Sequence, residues 1–179
     1  MVLRRLISCL LLLSLPVSVN AAEKPRLMYE DDEVYVRLVL RSREQLQAFY
    51  QGRQFPGRAI EEILATCFIT PIVKNLSLDV LWLDLDDWRF AVGVKPIARV
   101  KRDYWAARWQ EIDLKQAHRS TFGWTLMPER RDLRLDESVG GSVVIPTQKQ
   151  GFTVRARFKT GADGKGPMKE VVFDDVACP

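Results

Sequence analysis

His118 is the only histidine in the chain, so any nucleophile–histidine dyad must use it. Ser120 and Thr121 lie too close in sequence to reach its ring convincingly, and there is no Gly-x-Ser-x-Gly motif. A histidine on a helix surface is the reading that remains. Asp79, Asp84, Asp86 and Asp87 bracket an apolar run and supply the hard oxygens that calcium prefers. Their spacing does not match an EF-hand loop, and turn formation on a solvated face explains them. Asp84 with Glu111 or Asp113 would be the carboxylate pair of a hydrolase, but nothing in the spacing sets their separation. Met28, Met127 and Met168 are scattered, which weakens copper binding. There is no Cys-x-x-Cys-His, which excludes covalent haem. No cofactor is expected.

Two other groups stand out. Lys101, Arg102, Trp105, Arg108 and Trp109 interleave cation and aromatic along one helical segment. Such a surface stacks on sugar rings or meets anionic headgroups and protein partners. The competing reading packs Trp105 and Trp109 onto the sheet and leaves the cations wet. Cys67 and Cys178 are the second group. Without nearby histidines they make a poor metal site, and without a Cys-x-x-Cys they make a poor exchange site. A structural disulfide is expected if the chain is exported.

Export is what the N-terminus spells out. Arg4 and Arg5 precede an apolar run from Leu6 to Leu15, which Pro16 breaks. Val19 and Ala21 are the small residues a signal peptidase reads, so residues 1–21 are expected to be removed and the mature chain to begin at Ala22. The run is shorter than the about 20 residues that cross a bilayer. Leu6-Ile7-Ser8-Cys9 resembles an acylation box but sits before most of the apolar run rather than after it. No later segment is long and apolar enough to span. The expected location is the periplasm or the exterior.

Residues 22–179 amount to one domain. Residues 47% apolar supply a core. The net charge of +4 falls by two once Arg4 and Arg5 are gone, so nothing argues for nucleic acid.

The elements follow from periodicity. Glu33 to Arg41 alternates as a half-buried strand. Ser42 with Gln45 reads as a capping box opening a helix, and a second helix spans Ala59 to Ala65. Cys67 to Val73 is a strand whose Pro71 argues for an edge or a bulge. Val80 to Leu85, Trp88 with Phe90, Trp124 to Met127, Ser142 to Ile145, Phe152 to Phe158, and Val171 with Phe173 give further extended pieces. Ile97 to Gln116 reads as helix, and Asp163-Gly164 marks a hairpin. About seven strands result. The expected fold is mainly β, an antiparallel immunoglobulin-like β-sandwich with helical insertions near residues 42–65 and 97–122.

The pieces Lys74-Asn75-Leu76-Ser77, Val80 to Leu85, Asp136 to Gly141, Ser142 to Pro146, Phe152 to Phe158 and Val171 to Phe173 together resemble secreted bacterial immunoglobulin-like domains of unknown function. Cys67 and Trp82 are spaced rather like the first cysteine and core tryptophan of such domains. The second cysteine departs from the pattern, because it falls after the last strand. The resemblance implies a fold more than a task. Three functions stay open: an envelope accessory module with a protein partner, a small-ligand or glycan binder using surface tryptophans, and a carboxylate hydrolase.

Overall fold

The computed structural model describes residues 27–179. The expected signal peptide over residues 1–21, and Cys9 with it, therefore lie outside the described residues. The first sheet, sheet A, is antiparallel. It runs in the order β1 (Met28–Glu30), β2 (Val34–Leu40) and β3 (Thr66–Asn75). Two short strands, β8 (Ser138–Gly140) and β9 (Val143–Pro146), follow one another along the far side of β3. Sheet B is built the same way. The edge strand β11 (Met168–Val176) pairs with β10 (Phe152–Lys159), and β10 pairs in turn with β4 (Leu81–Asp84) and β5 (Arg89–Val92). Beyond these lie β7 (Arg130–Leu133) on β4 and β6 (Lys95–Ile97) on β5. The fold is mainly β, with two antiparallel sheets, as the alternating runs indicate.

The sheets face each other across one core. Val34, Val36, Leu38, Ile69 and Val143 from sheet A meet Leu81, Leu83, Phe90, Val154, Ala156, Phe158 and Phe173 from sheet B. Four helices form a third layer over part of the outer face of sheet A: α1 (Arg43–Gln51), α2 (Gly57–Leu64), α3 (Arg102–Glu111) and α4 (Gln116–Thr125). Phe68 on β3 and Val144 on β9 turn outward to join the helical core of Leu46, Tyr50, Ile63, Trp105, Trp109 and Phe122. This explains the unbroken apolar runs Cys67-Phe68-Ile69 and Val143-Val144-Ile145, because these strands are buried on both faces.

Several details correct the sequence reading. Pro71 is in an interior strand, between β2 and the β8–β9 seam. Its carbonyl accepts from Gly141 N–H at 3.4 Å, so the N–H it lacks would also have faced that seam. The expected helix over residues 97–116 begins later and is divided. Ile97 pairs with Phe90 in a hairpin turned by Gly93 (φ 56°) and Val94. The helical stretch then breaks between α3 and α4, where Asp113 takes a positive φ. Trp124 and Thr125 belong to α4 rather than to a strand. β7 carries no strand signal in the sequence, because Arg130-Arg131-Asp132 is a charged, exposed edge with no apolar alternation.

Other details are as expected. The Ser42 hydroxyl accepts from Gln45 N–H, and Gln45 Oε1 accepts from Ser42 N–H at 3.1 Å. Cys67 on β3 is joined to Cys178, beyond β11. The bond spans 111 positions and ties sheet A to the chain leaving sheet B.

Candidate binding cleft

The chain climbs from β2 into α1 at Arg41 and Ser42. That step leaves an open cleft of about 450 Å³ between α1 and the outer face of sheet A. Its position depends on the β8–β9 seam. Where α4 ends, the chain crosses that seam: Ser142 N–H donates to Thr125 C=O at 2.7 Å, and Met127 N–H donates to Ser142 C=O at 3.0 Å. A Cβ on Gly141 would lie 2.6 Å from Met127 N, so only glycine allows the crossing. The crossing brings Thr125 and Ser142 together at one side of the cleft.

Leu46, Phe49, Tyr50 and Phe68 give the cleft apolar walls. Hydroxyls meet in pairs along it: Tyr50 with Thr125 at 3.1 Å, and Thr70 with Ser142 at 3.1 Å. Thr125 commits its own proton to Phe122 C=O at 2.7 Å, so Tyr50 must be the donor in the first pair. Burial pushes the Tyr50 phenol up to about 12, against the opposing pull of Thr125 and Arg53, so it stays protonated. Arg41 stands at the rim and makes no ion pair among the described residues. No carboxylate lines this cleft. A second, more open hollow shares Phe49 and Thr125 and is edged by Arg53 and Trp124. The Arg53 guanidinium sits 3.5 Å from the Phe49 ring centroid, and Trp124 is 88% exposed.

The interaction surface read from residues 101–109 does not form. Trp105 and Trp109 are each 2% exposed and belong to the helical core. Arg102 is spent on the end of α4, donating to the carbonyls of Gly123, Leu126 and Met127 at 3.0–3.2 Å. The Gly123 carbonyl belongs to the last turn of α4, at the negative end of the helix, so a guanidinium fits there. Arg108 pairs with Glu62 of α2 and with Glu111, and these hydrogen bonds raise its pKa while lowering those of both carboxyls. Lys101 alone remains exposed, and it holds Asp86 at 2.7 Å.

The other sequence candidates disperse. Asp86 also pairs with Arg99, Asp84 with Arg130, and Asp87 with Lys159. Among the described residues no three His, Cys, Asp or Glu side chains are grouped to hold a metal. Asp84 is on sheet B, whereas Glu111 and Asp113 belong to the helical layer, so the fold does not assemble that pair. His118 is half-buried against Phe55, with ring centroids 4.7 Å apart. Trp82 lies on the outer face of sheet B and donates to Gly161 C=O at 2.7 Å, while Trp88 is the tryptophan of the sandwich core.

The cleft has no contiguous signature in the sequence because its lining comes from four separate stretches of chain, 41–50, 68–70, 125 and 142. The usable signal was Phe49, which stays 38% exposed on α1 while Leu46 and Tyr50 are buried.

A mainly β, three-layer protein with a solvent-open cleft is thus defined. No family model matches the chain, and no curated protein matches it. Among solved structures, the chain is similar to a "putative lipoprotein (ycdA)" from Bacillus subtilis subsp. subtilis str. 168, at 14% identity and a TM-score of 0.45. The match covers 85% of this chain and 38% of that one, so this chain spans well under half its length.

Proposed function

We propose that this protein works outside the cytoplasm as a non-catalytic accessory module of the cell envelope, engaging its ligand or partner through the α1–sheet A cleft. The observation that carries the binding role is the cleft itself: apolar walls, a guanidinium at the rim with no ion pair among the described residues, and hydroxyls along the side. The location is supported by the Cys67–Cys178 bond, which needs an oxidising compartment, and by the signal-like N-terminus. Intact-mass and thiol analysis of the protein from cell fractions tests the location. A chain beginning at Ala22 with no free thiol is expected in the envelope fraction. A full-length cytosolic chain with Cys67 reduced would overturn it.

Glycan binding by surface tryptophans is the second reading. Burial removes Trp88, Trp105 and Trp109 from it. Trp124 keeps it open, because its indole is exposed beside Phe49 and Arg53. Trp124→Ala should abolish any glycan binding if this reading holds, and leave it untouched if the α1 cleft is the site.

A further inference from the structure

We propose that the α1–sheet A cleft binds a small monocarboxylate with an apolar body, its carboxylate held by Arg41, Gln45 and the Thr70–Ser142 hydroxyl pair. This rests on reading the cleft as the binding site. The argument is one of charge. The lining holds one cation, the Arg41 guanidinium, which makes no ion pair among the described residues, and no carboxylate. Free donors stand beside it. Gln45 Nε2 has no partner among the described residues, and neither does the Arg41 guanidinium. Thr70 and Ser142 share one hydrogen bond between two hydroxyls, so one of their protons is left over.

A cleft with one unpaired cation, free donors beside it and no anion fits a ligand that carries negative charge. A carboxylate meets that condition, and a planar guanidinium binds it with two parallel hydrogen bonds. With no carboxylate in the lining, such a ligand meets no repulsion there. Leu46, Phe49 and Phe68 then ask for an apolar body behind the charged head. An ammonium ligand would meet like charge at Arg41. The neighbouring Arg53 reinforces the sign, since it too has no acidic partner among the described residues.

The test uses three isosteres: 3-phenylpropanoate, 3-phenylpropan-1-ol and 3-phenylpropylamine. Each is titrated into the oxidised mature protein while backbone amide NMR shifts are followed. Expected is saturable binding of the carboxylate with shifts at Arg41, Gln45, Thr70 and Ser142. The alcohol should bind at least about tenfold more weakly and the amine not at all. Arg41→Gln, on an exposed side chain, should remove the preference for the carboxylate, and Thr70→Val should weaken carboxylate binding alone. Equal affinity for acid and alcohol at the cleft would overturn the carboxylate assignment and leave the cleft as the binding site. Unchanged carboxylate binding in Arg41→Gln would overturn it equally. Absence of cleft shifts with all three compounds would overturn both.

Discussion

Trp105 and Trp109 stack one turn apart on α3, with ring centroids 5.0 Å apart and planes inclined by 27°. Phe122 of α4 sets its edge against Trp109 at 5.0 Å and lies 4.8 Å from Trp105. The cluster fastens α3 and α4 over Phe68, so these indoles hold the helical layer down.

Trp109→Ala should therefore cost about 3–5 kcal/mol in urea unfolding. Trp109→Phe should cost much less, because the buried indole N–H it removes has no partner. Trp124→Phe should leave stability within about 0.5 kcal/mol. It should also remove most of the acrylamide-quenchable fluorescence, since Trp124 is the most exposed indole among the described residues.

The disulfide constrains a loop of 111 positions, which corresponds to roughly 4–5 kcal/mol of lost unfolded-chain freedom. The double variant Cys67→Ala, Cys178→Ala should lower the urea midpoint by that order, and reduced wild type should approach it. Equal midpoints for oxidised and reduced protein would show that the clasp adds nothing.

Arg102 closes the C-terminal end of α4 by donating to three carbonyls. Arg102→Ala should cost about 1–3 kcal/mol. Amide exchange should quicken first in the last turn of α4 and at the Ser142 crossing. Lysine in its place should recover only part, lacking a fork that reaches two carbonyls at once.

Lys169 of β11 reaches across to Asp31 and Glu33, in the turn between β1 and β2, and so ties the edges of the two sheets. Burial disfavours the charge on Asp31, but hydrogen bonds from Lys169, Tyr29 and the Val34 and Glu33 N–H groups outweigh it and hold the carboxyl well below the usual range. Burial likewise opposes the charge on Lys169, and its two carboxylate partners overcome this and raise its pKa. The lowered acid contributes above its unfolded pKa of about 4 and loses that contribution as pH falls through its folded value. The raised base contributes below about 10.4 and loses its contribution as pH rises through its own folded value. Stability should thus be flat between these limits and fall on the acid side below about pH 4. Asp31→Asn should flatten that acid limb, as read from urea midpoints taken between pH 2 and pH 6.

Local features were legible in the chain before the fold was known. The Ser42–Gln45 box and the alternation of Phe152 to Phe158 depend on neighbours a few residues away. Trp105 and Trp109 were legible as one helical face, but spacing does not say whether a face meets solvent or another layer. The runs through Phe68 and Val144 held that answer, since two-sided burial of a strand requires something above it. The cleft was illegible for another reason. Arg41, Thr70, Thr125 and Ser142 meet only because Gly141 lets the chain leaving α4 cross the seam, and no periodicity encodes a crossing.

The position of Cys178 also sets an order of events. Cys67 is synthesised early, with its partner 111 residues behind it. Until that partner has been made, Cys67 cannot close this bond. Because Cys178 follows directly on β11, the bond fastens the end of the last strand to β3 of the other sheet. A chain clipped anywhere before Cys178 would lack it and keep Cys67 as a thiol.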